Sequence, residues 1–227
     1  VVNQKRFQAK WGFVPLARGN ILVSLLGEAD AEKEARVLEI GCGYGKTLLK
    51  IKELFPRAEF FGIEANPNAA KIAEVFAAIK VGDPEKIAID YPDNYFDYIL
   101  LSDSLEHLVD PWEMLAKIKR CLKPGGCLLA SIPNIMHFTI IAQLLAGEWN
   151  YVDSGILDKT HLRFFTLATT KKMFQEIGYT ITETREITPG YQYEESFLEY
   201  LRQKVPAEKS NELLVEQYLI KATHNFL

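Results

Sequence analysis

The chain has 227 residues, 48% of them hydrophobic and 25% charged, a balance that lets one large domain bury a core and excludes disordered and fibrous classes. A net charge of −4 and a pI near 5.7 argue against a protein built to grip a phosphate backbone, so no nucleic-acid partner is expected. Cys42, Cys121 and Cys127 form no CxxC pair, no apolar run is long enough to span a membrane, and the start lacks a signal-peptide core; a reducing cytoplasm is the expected location.

In chain order, "RVLEI" (36–40) predicts a buried strand, followed by a helix from about Lys46 to Phe55 that Pro56 stops. "AEFFGIE" (58–64) predicts a second strand, and residues 67–79 a helix with Asn66 as N-cap and Pro67 in its first turn. "KVGD" (80–83) reads as a short third strand and "YFDYILLSD" (95–103) as a fourth, apolar enough to be central in a sheet. Residues 110–126 predict a helix whose Met114, Leu115, Ile118 and Leu122 recur at helical spacing before a Pro-Gly-Gly stop. "CLLASIP" (127–133) is a fifth strand. Strands alternating with helices predict a parallel sheet with right-handed crossovers, a doubly wound α/β fold.

The last third changes character. Residues 136–147 look helical, whereas 148–166 are aromatic, mixed and aperiodic, the kind of long irregular segment that often serves as a functional lid. A helix over 167–178 closes at Gly178, and strands over 179–187 and 216–224 flank a helix near 194–204, for about seven strands in all.

The strand–turn–helix around Gly41-Cys42-Gly43-Tyr44-Gly45 brings backbone close to a ligand at the carboxyl edge of the sheet. The spacing is GxGxG, with the third glycine one residue earlier than in the GxGxxG dinucleotide fingerprint. Glu39, two residues before the first glycine, suits a cationic ligand better than a diphosphate. S-adenosylmethionine carries an ammonium and a sulfonium and no phosphate. Glu64, at the end of the second strand, can accept from both hydroxyls of a ribose. Asp83 can take an adenine amino group or cap the turn at Pro84, and both readings stand.

Taken in order, "VLEIGCGYG", "GIEANP", "VGD", "YFDYILLSDSLEHLVDP" and "LKPGGCLLASIPN" resemble the motif series of class I S-adenosylmethionine-dependent methyltransferases over residues 35–135. The resemblance implies a Rossmann-like, three-layer αβα fold with a seven-stranded, mostly parallel sheet whose last strand is antiparallel. It implies that Glu39, Gly41, Cys42, Gly43 and Gly45 frame the methionine part of the cofactor. Glu64 with Ala65 would hold the ribose, Asp83 the adenine, and Ser102 and Asp103 would flank the sulfur. One domain is then expected over 1–227: N-terminal cap helices (1–34), a cofactor-binding core (35–135), an acceptor-side lid insertion (136–166) and the rest of the sheet (167–227).

Methyl transfer to a neutral oxygen benefits from a general base. His137, at the tip of the fifth strand, and His161, in the irregular segment, are the candidates, with packing roles as the alternative for each. "GILDKTHLRFFT" (155–166) resembles a stretch of methyltransferases found near glycosyltransferases in bacterial surface-polysaccharide pathways, which implies a small-molecule or glycan-precursor acceptor. Tyr151, Asp158 and Arg163 are its candidate binders; Arg163 could pair with an anionic acceptor or with Asp158. "DSLEH" spaces Asp103, Glu106 and His107 as metal ligands on one helical face, similar to a metal-binding ExxEH in some quinone-biosynthesis and small-RNA methyltransferases, although no metal is the favoured reading. Two other classes are weighed: a nicotinamide-binding oxidoreductase, for which no catalytic Tyr-Lys or His-Asp set is found, and a non-catalytic cofactor-binding relative.

Overall fold

The computed structural model describes residues 21–26, 32, 34–188 and 195–224. Most of the expected N-terminal cap (1–34) lies outside them; within it Leu22–Leu26 form a single 3-10 turn.

Seven strands make one sheet: β1 (Arg36–Ile40), β2 (Glu59–Glu64), β3 (Ala78–Val81), β4 (Phe96–Ser102), β5 (Leu122–Pro133), β6 (Thr180–Ile187) and β7 (Gln217–Thr223), in the order β3-β2-β1-β4-β5-β7-β6. β1 pairs in parallel with β2 and β4, in the register Ile40↔Ile63 and Leu38↔Ile99. β7 runs antiparallel to both β5 and β6. The seven-stranded Rossmann-like sheet with a reversed last strand is therefore as the resemblance implied.

Alternation along the strands builds two cores, one on each face. Leu38, Ile40, Ile99, Leu101, Leu128 and Ala130 face α3 (Pro111–Lys119) through Met114, Leu115 and Ile118, and α5 (Leu167–Glu176) through Met173 and Phe174. Val37, Leu100, Leu129 and Leu219 face α1 (Lys46–Leu54) through Leu48 and Ile51, and the Leu22–Leu26 turn through Leu22 and Leu25. Each such leucine or isoleucine contributes about 1.5–3 kcal/mol by leaving water. The result is helix, sheet and helix in three layers.

The helix starts follow their caps. In α2 (Pro67–Ala73) the Asn66 carboxamide accepts from the amides of Asn68 and Ala69. In α3 the Asp110 carboxylate accepts from the Glu113 amide, with Pro111 at the first helical position. α4 (Phe138–Leu145) starts after His137, and α6 (Glu195–Arg202) precedes β7.

Three boundaries differ from those expected. α2 ends at Ala73 rather than 79, because residues from Ala78 are drawn into β3 beside Phe61–Glu64. Gly82 and Asp83 follow that strand rather than ending it. α3 ends at Lys119 rather than 126, because Leu122 pairs with Phe96 and "LKPGG" joins β5 across an irregularity in the ladder.

Candidate functional site

The carboxyl ends of β1, β2 and β4 lie side by side, so their terminal residues converge on one edge of the sheet. Leaving β1, the chain turns through Gly41, Gly43 and Gly45 at φ of 70°, 54° and 79°. The Gly41 and Cys42 amides both donate to the Ile63 carbonyl, which ties the turn to β2. Close packing explains Gly45: a Cβ there would stand 2.6 Å from the Phe76 ring. At Gly43 a Cβ would meet no protein atom within 4 Å, so the space beside this backbone is open.

The acids set the chemistry of this edge. Glu39 is buried and accepts from the Ser102 hydroxyl at 2.6 Å, while its Oε2 has no hydrogen-bond partner among the described residues. Burial above all pushes its carboxyl up to about 7, against the lowering by the Ser102 and Thr47 hydroxyls; the charges of Glu64 and Asp103 add to the rise. An orphaned buried carboxylate oxygen is unfavourable until a proton or cation meets it, so the site is set up for a positively charged group. Glu64 accepts from the Gly43 amide at 2.6 Å and from the Asn66 amide at 2.7 Å, which couples the tip of β2 to the glycine turn. Ala65 is exposed at that tip, and Cys42 is buried under the turn, where burial pushes its thiol up and keeps it unreactive.

Asp103 follows β4 in the left-handed region, at φ 47°. Its backbone amide donates to Ser131 Oγ, and its carboxylate accepts from the Ser131 hydroxyl at 2.7 Å and from the Gln217 amide group. Ser102, Asp103, Glu39 and Glu64 thus form one connected region. Asp83 lies beside the tip of β2, since the preceding Gly82 amide donates to the Glu64 carbonyl; its own carboxylate accepts from the Glu85 amide and pairs with Lys86 at 2.7 Å, contacts that suit a turn cap.

The acceptor-side candidates divide into two groups. His137 is buried, its Nδ1 is 2.8 Å from Thr139 Oγ1, and burial lowers its pKa against the opposing charge of Glu216. It lines a cavity of about 200 Å³ with Thr139, Gln143, Asn150, Ser154 and Glu216. His161 is buried elsewhere, with Nδ1 3.0 Å from the Ile156 carbonyl and its ring 4.8 Å from that of His107; burial lowers its pKa too. Tyr151 is exposed. The Asp158 carboxylate accepts from the amide and hydroxyl of Thr160. Arg163 donates to the Leu162 and Val109 carbonyls, and no ion pair joins it to Asp158 among the described residues.

Of the metal-spacing triplet, Glu106 and His107 come together with His161, while Asp103 is engaged by Ser131 and Gln217 instead. Sequence reading missed Ser131, Glu216 and Gln217. Nothing local marks them, because Ser131 reaches Asp103 through the pairing of β5 with β4, and Glu216 and Gln217 arrive with β7 beside β5.

A reversed last strand, a glycine turn after β1 and carboxylates at the tips of β1 and β2 define a Rossmann-like methyltransferase. Residues 17–184 match the family described as a methyltransferase domain, and the chain belongs to that family. It is an S-adenosylmethionine-dependent methyltransferase. The demethylmenaquinone methyltransferase of Geobacillus kaustophilus is 25% identical over 183 residues, covering 71% of this chain and 77% of the relative. An S-adenosylmethionine-dependent methyltransferase from Mesorhizobium loti has the same fold at a TM-score of 0.59 and 17% identity, with 88% of this chain and 94% of that one covered. Phosphoethanolamine N-methyltransferase 2 of Haemonchus contortus, solved with S-adenosyl-L-methionine, aligns at a TM-score of 0.63 and 16% identity over 92% of this chain and 52% of that one. Among the described residues no helix is long and apolar enough to cross a membrane.

The residues fit this cofactor. The orphaned oxygen of Glu39 suits an ammonium, and the glycine turn leaves open space at Gly43 for a ligand to approach the backbone.

Proposed function

We propose that this enzyme methylates a hydroxyl of a polar small molecule, a sugar or glycan precursor, with His137 as the general base. The observation that carries the reading is the cavity beside His137, whose lining of Thr139, Gln143, Asn150, Ser154 and Glu216 offers hydrogen-bond donors and acceptors in several directions. The cavity is also lined by Ile140, Val152, Ile156 and Leu157, which suit the face of a ring; its polar groups are what favour a hydroxylated acceptor over the quinone in the names of the demethylmenaquinone relatives.

S-adenosylmethionine would supply an activated methyl group to the acceptor oxygen, with the neutral thioether as leaving group. Glu39 would hold the ammonium, the Gly41–Gly45 backbone the methionine part and Glu64 the ribose, while Ser102 and Asp103 flank the sulfur side. Burial keeps His137 neutral at neutral pH, so it can take the hydroxyl proton, and the charge of Glu216 stabilises the imidazolium that results. Alignment of the two reactants, worth roughly 7–11 kcal/mol in favourable cases, is the larger contribution. Glu216, on the cavity wall, is the chain neighbour of Gln217, whose side-chain amide reaches Asp103.

His137→Asn tests the role. Turnover should fall about 10²–10⁴-fold while S-adenosylmethionine affinity by calorimetry holds. Unchanged turnover returns His137 to helix capping and packing. A panel of sugar and quinone acceptors tests the substrate class, and methylation of quinones alone would overturn it.

A further inference from the structure

The turn after β4 holds a second cluster that the methyl-transfer chemistry leaves unused. Glu106 is 1% exposed, and neither of its carboxylate oxygens has a hydrogen-bond partner among the described residues. An ionised carboxylate without a partner is not tolerated in a low-dielectric interior. Protonation removes the charge but leaves an acid proton that no described residue accepts in this arrangement. Burial drives this carboxyl well above the ordinary range.

What does approach Glu106 is a pair of histidines. Glu106, His107 and His161 each offer a ligand atom, and these atoms all lie within 4.8 Å of one another. Both imidazoles are oriented from behind in the manner of metal-binding histidines. His107 Nδ1 lies 3.2 Å from the Thr160 carbonyl, and His161 Nδ1 lies 3.0 Å from the Ile156 carbonyl. Only a protonated Nδ1 can bond a carbonyl, so in each neutral ring Nε2 carries the lone pair. The backbone is pinned at the same place, with the Leu162 and Arg163 amides both donating to the Glu106 carbonyl.

We infer that Glu106, His107 and His161 form a site for a first-row divalent cation that ties the 155–163 segment to the turn after β4. One carboxylate and two imidazoles are the donor set of zinc and its neighbours rather than of magnesium or calcium, which take oxygen ligands. Ligands about 2.0–2.1 Å from a tetrahedral ion stand roughly 3.4 Å apart, so side-chain rotations that draw each ligand atom inward by up to about 1 Å close the site. Three protein ligands leave the ion at least one open coordination position. Asp103, the first acid of "DSLEH", takes no part, since Ser131 and Gln217 hold it.

The test is calorimetric titration of chelator-treated full-length protein with Zn²⁺, with Co²⁺ absorption as a second readout. One equivalent should bind at micromolar or tighter affinity, and Mg²⁺ should give no heat. Glu106→Gln and His161→Asn should each weaken Zn²⁺ binding about 100-fold or more, while S-adenosylmethionine affinity and the circular-dichroism spectrum stay at wild-type values. Equal Zn²⁺ affinity in wild type and both variants would overturn the site by assigning the ion to the thiols, as would absence of Zn²⁺ binding in wild type. S-adenosylmethionine titrated into the same samples gives a separate readout, so failure of the cofactor assignment and failure of the cation site are told apart.

Discussion

Lowering the pH from 7 to 6 should weaken S-adenosylmethionine binding about fivefold, and one carboxylate should account for the loss. The Glu39 carboxyl is pushed up to about 7, chiefly by burial. Its Oε2 has no partner among the described residues, so a bound ammonium would meet an ionised oxygen and pull its pKa down. Binding is thereby linked to release of a proton. With a free-state pKa near 7, about half the molecules are already ionised at pH 7 but only about one in eleven at pH 6. That difference is about 1 kcal/mol, growing towards about 1.4 kcal/mol for each further unit until the bound-state pKa is reached. The sign follows from the acid being neutral when free and charged when bound: affinity rises with pH up to the free-state pKa and then flattens. An α-ammonium, with an ordinary pKa of about 7.7–8.0, stays largely protonated below pH 7, so the slope there belongs to the protein. Calorimetry between about pH 5.5 and 7, in buffers of different ionisation enthalpy, counts the released proton directly. Glu39→Gln keeps an oxygen for the Ser102 hydroxyl but cannot titrate, so its affinity should be lower at pH 7 and level across the window. A level wild-type profile with no proton released, or a Glu39→Gln variant that keeps the slope, would refute the reasoning.

Glu64→Ala removes the acceptor of the Gly43 and Asn66 amides and should weaken cofactor binding by about 1.5–3 kcal/mol; wild-type affinity by calorimetry would withdraw the ribose assignment. Gly45→Ala and Gly43→Ala should separate stability from binding. At Gly45 the positive φ and the contact 2.6 Å from Phe76 together cost about 2–4 kcal/mol in urea denaturation. At Gly43, where a Cβ meets no protein atom, only about 1–2 kcal/mol of backbone strain is expected, yet cofactor affinity should fall. Equal stability losses in the two variants would contradict the cradle geometry.

Much of the fold was legible because its signals are local. The run Val37–Ile40 is uniformly apolar apart from Glu39 because it is buried on both faces of a central strand. Asn66-Pro67 and Asp110-Pro111 announce helix starts because an N-cap and a proline act within one turn. The misread boundaries share one cause. "LKPGG" carries turn residues, and only pairing with Phe96 makes it the start of β5. The region following Ala73 has helical composition, and only pairing with Phe61 makes its end a strand.

The candidate site divides along the same line. The sequence by itself determined the glycine turn and the placing of Glu39 and Glu64 at strand ends, because each depends on a few consecutive residues and a single strand–turn–helix unit. Only the tertiary structure decided which side chains meet across long separations. Gln217 reaches Asp103 because β7 is reversed beside β5, and Glu106 and His107 meet His161 because the Leu162 and Arg163 amides dock on the Glu106 carbonyl. Such meetings depend on the packing of distant segments against one sheet, and no spacing within either segment records them.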